Sequence, residues 1–138
     1  MSLVVCDASA LVAVLIGADG ADGGIDRGAW AAEQLLGARL AGPALLPFEV
    51  SNVIRRLELS GAASADVTAQ AHADLMALPV QLFPYEVLAA RTRELRATIT
   101  SYDASYVATA ELLGAPLVTL DVRLSRAPGP RCEFRMPV

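Results

Sequence analysis

A chain of 138 residues with 54% hydrophobic and 19% charged side chains is rich enough in apolar surface for one packed domain, and too rich for disorder. Its formal net charge of −4 announces no general basic surface, so any polyanion would need local arginines or a metal ion to offset the carboxylates. All 11 basic residues are arginine, which excludes chemistry built on a lysine amine, such as a Schiff base, a Walker A phosphate loop or a response-regulator receiver. No apolar run reaches the roughly 18 residues of a membrane span. The first residues lack a basic leader, and two cysteines make no disulfide framework, so free thiols and a cytoplasmic location are expected.

The apolar run Leu3 to Cys6 predicts a strand covered on both faces, and Ala8 to Ile16 a helix. Gly17 to Gly28 is a loop by composition. Trp30, Leu35, Leu36 and Leu40 predict a second helix ending near Gly42-Pro43, followed by a short strand over Ala44 to Leu46. Pro47 suits the first turn of a helix running to about Ser60. Ser64 to Leu78 is a further helix, Val80 to Phe83 a strand, and Pro84 opens a helix to about Thr98. A helix opened by Ser101-Tyr102 runs to Leu113 and stops at Gly114 and Pro116; Pro116 to Leu120 is again a buried strand, and a last one lies near Cys132 to Phe134. Strands alternating with helices predict an α/β fold: one three-layer α/β/α sandwich over residues 1–138, with a mostly parallel sheet of four to five strands.

Two buried strands each end on an aspartate, LVVC on Asp7 and PLVTL on Asp121. Ligands bind at that carboxyl edge in open parallel sheets. Glu49 and Asp103 open helices that begin at the same edge, so four acids from distant segments can converge. Singly, each has a structural explanation as a helix cap or a dipole partner. Together they repel, a cost that a bound cation would offset. Oxygen ligands without cysteine or histidine favour Mg²⁺ or Mn²⁺ over Zn²⁺. If the acids crowd one another, neutralising one, as in Asp121→Asn, should stabilise the metal-free protein; a capping role predicts the opposite.

The segments DASALVAVL, PFEVSNVIRR and SYDASYVATAELLGAPLVTLDVRL, in this order along the chain, resemble PIN-domain ribonucleases, and more narrowly the VapC-type toxins of bacterial toxin–antitoxin pairs. The resemblance implies a PIN-like fold and an endoribonuclease that hydrolyses RNA by metal-activated water, with Asp7, Asp103, Asp121 and Glu49 as metal ligands, directly or through water. It further implies that Ser9 hydrogen-bonds a ligand or a water, and that Asn52 matches a polar position one helical turn after the glutamate. Arg123 is a candidate phosphate contact. The implied partners are an RNA substrate, an antitoxin protein and a second copy of the chain. Two features depart from the family: Val122-Arg123-Leu124-Ser125 supplies no further acid after Asp121, and the Gly17 to Gly28 loop is long.

Other readings weaken on inspection. Haloacid-dehalogenase-type phosphatases need an aspartate where Ser9 stands, and a lysine. A structure-specific DNA nuclease of related fold would bring more chain for gripping a duplex. The serious alternative is a catalytically silent PIN-like module for binding or assembly. His72 falls between the apolar positions of its helix and reads as surface. Asp19, Asp22 and Asp26 lack the order of a calcium loop. Arg55-Arg56 and the dispersed Arg126, Arg131 and Arg135 read as solvent-exposed, Tyr106 as core, and Tyr102 as a residue on which a base can stack.

Overall fold

A computed structural model describes residues 2–17 and 26–137. Five strands, β1 (Leu3–Cys6), β2 (Arg39–Pro43), β3 (Val80–Phe83), β4 (Leu117–Val118) and β5 (Phe134–Arg135), form one sheet in the order β3-β2-β1-β4-β5. Every pairing is parallel. The chain moves one way across the sheet from β1 to β3, then returns to lay β4 on the other side of β1. Right-handed crossovers therefore put α1 (Ala8–Val12), α2 (Arg27–Leu35), α3 (Leu46–Leu59) and α4 (Ala65–Ala77) on one face. The opposite face takes α5 (Tyr85–Glu94) and α6 (Ser101–Leu113). A final short helix, α7 (Val122–Arg126), links β4 to the segment that ends in β5.

The reversal of direction between β1 and β4 is the topological switch point, where the crevice at the carboxyl edge opens. Val4, Val5 and Cys6 of β1 and Leu117 and Val118 of β4 are fully buried, which accounts for the continuous apolar runs. α6 packs across β2, β1 and β4, and its residues from Ala104 to Ala110 are all buried. A helix enclosed on every side has no polar stripe, so its sequence reads SYDASYVATAELL rather than as an amphipathic repeat. Gly114 ends it with φ 61°, the left-handed conformation that glycine adopts without strain.

Four expected boundaries are corrected. Helix α2 starts at Arg27, inside the predicted loop, because the Asp26 carboxylate accepts the Ala29 N–H at 3.0 Å and caps it. It stops at Leu35, and Gly37 at φ 85° turns the chain, so Leu40 lies in β2 and not in a helix. The predicted strand over Ala44 to Leu46 lies instead at Arg39–Pro43, and α5 ends at Glu94 rather than near Thr98. Asp19 and Asp22 lie outside the described residues.

The segment after α7 is tied down by one ion pair. Arg91 donates through Nε and Nη2 to the two carboxylate oxygens of Glu111 at 2.7 and 3.2 Å, and through Nη2 to the Gly129 carbonyl at 2.8 Å. Glu111 also accepts the Arg131 N–H at 2.8 Å. Burial pushes the Glu111 carboxyl up, but these donors outweigh it and hold the carboxyl below its ordinary range. Thr98 donates to the Pro128 carbonyl, which fixes where the segment leaves α7.

Gly42 sets the height of α3 above the sheet. A Cβ there would stand 2.9 Å from Cδ2 of Leu46, a side chain that is itself buried. Gly42→Ala is expected to destabilise by about 1–3 kcal/mol, the usual cost of overpacking, as read by urea unfolding. Unchanged stability would mean that Leu46 turns aside freely and that α3 is not held by this contact.

Candidate active site at the carboxyl edge

Asp7 follows β1 directly, and its burial at 7% exposure would be costly for an unpartnered carboxylate. Three donors meet it. Oδ1 accepts from the Ser9 hydroxyl at 2.6 Å and the Ala10 N–H at 3.1 Å, so Asp7 also caps α1. Oδ2 accepts from the Thr119 hydroxyl. The same two hydroxyls receive bonds from the loop after β4: the Leu120 N–H donates to Ser9 Oγ at 3.0 Å and the Asp121 N–H to Thr119 Oγ1 at 2.9 Å. One carboxylate thus locks the ends of β1 and β4 together. Burial raises the Asp7 carboxyl above its ordinary range, opposed by Ser9, Thr119 and Ala10, and the charge of Asp121 raises it further.

Asp121 caps α7, its Oδ1 accepting the N–H groups of Arg123 and Leu124 at 3.0 and 3.2 Å. Capping and membership of the acidic group are not alternatives here; the same carboxylate does both. In Asp121→Asn two effects therefore oppose one another: loss of the charge that favours the start of α7, and relief of the repulsion on Asp103 and Asp7.

Asp103 lies in the first turn of α6, and its N–H donates to the capping Thr100 hydroxyl at 3.1 Å. Burial raises its carboxyl, repulsion from Asp121 and then Glu49 raises it further, and Arg123 and Thr100 oppose. Glu49, in the first turn of α3, is half-buried and accepts the Tyr106 hydroxyl at 2.5 Å. Tyr106 is core, as its position in the helix predicts, but its hydroxyl also fixes Glu49. Burial, reinforced by Glu49, pushes the Tyr106 phenol far above its ordinary range, so it remains a donor.

The charges therefore form a series in which Asp7 feels Asp121, Asp121 lies near Asp103, and Asp103 feels Glu49. Among the described residues no three acidic, histidine or cysteine side chains stand close enough to hold an ion as they are placed. The donor set still suits a hard divalent cation: four carboxylates, two of them raised by burial and mutual repulsion, with no soft ligand among them. Asn52 is exposed on α3, His72 is exposed on α4, and Arg123 is exposed beside Asp103. Cys6 is buried, with its thiol pushed up to about 12, and Cys132 is half-buried; both are free. Thr119 is the functional residue that the sequence concealed, because a β-branched residue in PLVTL reads as strand filling.

Asp103→Asn relieves the burial of a charge and the repulsion together, and it spares both caps. A carboxyl held above its ordinary value of 3.8 binds its proton more tightly in the folded state. The stability this gives is complete below that value and is lost as the pH rises. In chelator at pH 7.5 the variant is expected to melt about 1–3 °C above the wild type, with the gap closing toward pH 4. Equal melts at pH 7.5 would remove the repulsion. Thr119→Val, which unmakes two bonds of the Asp7 lock, is expected to lower stability by about 1–3 kcal/mol in urea titrations.

Comparison with known proteins places this geometry. The PIN domain family matches residues 4–130. Ribonuclease VapC12 of Mycobacterium tuberculosis is 32% identical over 134 residues, covering 97% of this chain and 98% of that one. VapC ribonuclease Mb0985 of Mycobacterium bovis is 37% identical over 133 residues, covering 96% of each. Ribonuclease VapC1 of M. tuberculosis is 43% identical over 98 residues, 68% of this chain and 71% of that one. Among solved structures, PAE2754 from Pyrobaculum aerophilum superposes with a TM-score of 0.58 at 24% identity, covering 91% of this chain and 86% of that one. VapBC2 from Rickettsia felis, bound to a DNA fragment from its promoter, superposes with a TM-score of 0.61 at 15% identity, covering 96% and 98%. These last two likenesses concern the fold. With the profile and the relatives both spanning the two aspartate-ended strands and the acidic helix starts, the chain belongs to the PIN-domain family and, within it, to the VapC ribonucleases.

Proposed function

We propose that this protein is a divalent-metal-dependent endoribonuclease and the toxin of a bacterial toxin–antitoxin pair. The observation that supports it best is the mutual repulsion of acids drawn from four distant segments to one sheet edge, at the switch point between β1 and β4. Asp7, Asp103, Asp121 and Glu49 would hold Mg²⁺ or Mn²⁺, directly or through water. When bound, the ion supplies a water of lowered pKa and positive charge for the phosphate and the leaving oxygen.

The chain's own residues supply placement. Ser9 and Thr119 hold the Asp7 carboxylate in one orientation while leaving a lone pair on Oδ2. Tyr106 holds Glu49, whose second oxygen is left for a ligand or for orienting the attacking water. Arg123, exposed beside Asp103, meets a phosphate oxygen and offsets its charge. The resemblance to the VapC ribonucleases implies 5′-phosphate and 3′-hydroxyl ends as the products.

The names of the relatives support RNA as substrate, and the VapBC neighbours support an antitoxin as partner. That second protein would cover the acidic edge, and the toxin would act as a homodimer in the cytoplasm.

Purified protein incubated with total RNA and Mn²⁺ should generate new 5′ ends at defined positions, and Asp7→Asn or Asp103→Asn should reduce cleavage by at least about 100-fold while the protein remains folded. Full activity in either variant would sink the site; no cleavage by a folded, metal-loaded wild type would favour the silent binding module. Expression of the wild type alone should arrest bacterial growth, with relief by the product of a small adjacent gene. Harmless expression of active protein would count against the toxin role.

A further inference from the structure

The first turn of α6 is a ridge between two hollows of opposite character. On one side, an open groove of about 770 Å³ runs between the 96–100 turn and α7, with Arg96, Arg123 and Arg126 along it and Asp103 and Asp121 at its side. In a chain of net charge −4, three arginines in one groove are a local reversal of sign. None of the three pairs with a carboxylate among the described residues. Arg96 donates only to the Arg93 carbonyl, leaving most of its donors to solvent.

On the other side, a smaller and mainly apolar hollow of about 210 Å³ lies beyond the ends of β2 and β3, with Pro43, Leu45 and Phe83 in its wall. Tyr85 and Tyr102 line it at 64% and 63% exposure, so much of each ring is open to solvent. Ser101 and Ser105 supply hydroxyls there, that of Ser105 already donating to the Tyr102 carbonyl. Thr100 and Asp103 border the arginine groove while Ser101 and Tyr102 border the apolar hollow, so the two are one or two residues apart.

We infer that the two hollows form one path for an unpaired RNA strand: a single base seats in the Tyr85–Tyr102 hollow, the backbone crosses the α6 ridge, and the next phosphates run along Arg96 and Arg126. The crossing puts the phosphate that follows the seated base over Asp103 and Asp121. This inference rests on the ribonuclease reading and adds what selects the cut. A paired base cannot leave its stack to enter the hollow without a cost of unpairing, so a loop or single strand is preferred over a duplex. The hollow accepts a π-face and offers hydroxyls to a base edge, whereas the groove offers charge without sequence information. Tyr102 is thereby the specificity-determining residue of the reaction, and Arg96 and Arg126 are backbone contacts.

Binding measured in chelator separates this path from catalysis. Fluorescence anisotropy of a labelled 12-nucleotide RNA, single-stranded or annealed to its complement, would be followed against salt for the wild type, Arg96→Gln, Arg126→Gln, Tyr102→Ala and Tyr102→Phe, each checked by thermal melting. The single strand should bind at least about 10-fold more tightly than the duplex. Each arginine variant should flatten the slope of log affinity against log salt by about 0.7, the value for one phosphate contact on a single strand. Tyr102→Ala should weaken binding about 10-fold, and in Mn²⁺ it should blur the base preference beside the cut, while Tyr102→Phe keeps both. Equal binding of duplex and single strand, an unchanged salt slope, or a Tyr102→Ala variant with wild-type affinity and cleavage pattern would each overturn the path. In those cases cleavage by the wild type would still uphold the ribonuclease reading; a folded wild type that neither binds nor cuts RNA would overturn both.

Discussion

The site depends on a buried carboxylate between two parallel strands. Asp7 is taken out of water at the end of β1, and only the hydroxyls of Ser9 and Thr119 and the N–H of Ala10 make that tolerable. Hydrogen bonds to a charged group are worth roughly twice those between neutral groups, so the same bonds that solvate Asp7 also hold β4 beside β1. Because Leu120 and Asp121 donate back to those hydroxyls, the direction of the chain after β4 is set by the same network. Fold and site share one set of bonds at this point. The aspartate that interrupts an apolar segment is therefore the polar core of the switch point, not an intrusion into a strand.

Helix starts make the rest of the cluster affordable. Asp7 and Asp121 cap helices, and Glu49 and Asp103 lie in first turns, where free N–H groups and the helix dipole favour negative charge. Each acid is locally stabilised by up to about 1 kcal/mol and collectively destabilised by its neighbours. A sequence can retain all four only because the two effects act on different length scales. Capping is settled within a few residues, whereas the repulsion appears once β1, β4, α3 and α6 are assembled.

That difference of scale also decides how much was legible in the sequence. The strand ending at Asp7, the parallel sheet and the helix starts at Glu49 and Asp103 follow from local pattern. The expected strand Pro116 to Leu120 is shorter in the fold, β4 ending at Val118 before Asp121. The position of β2 does not follow from local pattern. Leu35, Leu36 and Leu40 satisfy a helical period, while Gly-Pro at the end of a strand resembles a stop signal. In the fold Gly42 is there because α3 approaches the sheet through Leu46, and Pro43 ends the pairing with β3. Thr119 was hidden because strand propensity and hydroxyl chemistry call for the same residue. Tyr106 was read by its burial alone, since its bond to Glu49 spans 57 positions of sequence.

The four acids differ in how firmly they are held. Asp7 accepts three hydrogen bonds on its two oxygens, and Glu49 is anchored by a buried phenol. Asp121 is bound through Oδ1 to backbone N–H groups, and no protein donor meets its Oδ2 among the described residues. Asp103 lines the arginine groove, as Asp121 does, and is repelled by Asp121 and by Glu49. Asp7 and Glu49 are thus held by side-chain hydroxyls and Asp121 by backbone N–H groups, while Asp103 stands beside Asp121 on the groove. On the metal-dependent reading proposed above, a bound cation would relieve the repulsion that Asp103 feels from Asp121 and Glu49. On the path proposed above, an RNA strand carrying its phosphates past Arg96 and Arg126 would run along the same groove that Asp103 and Asp121 line.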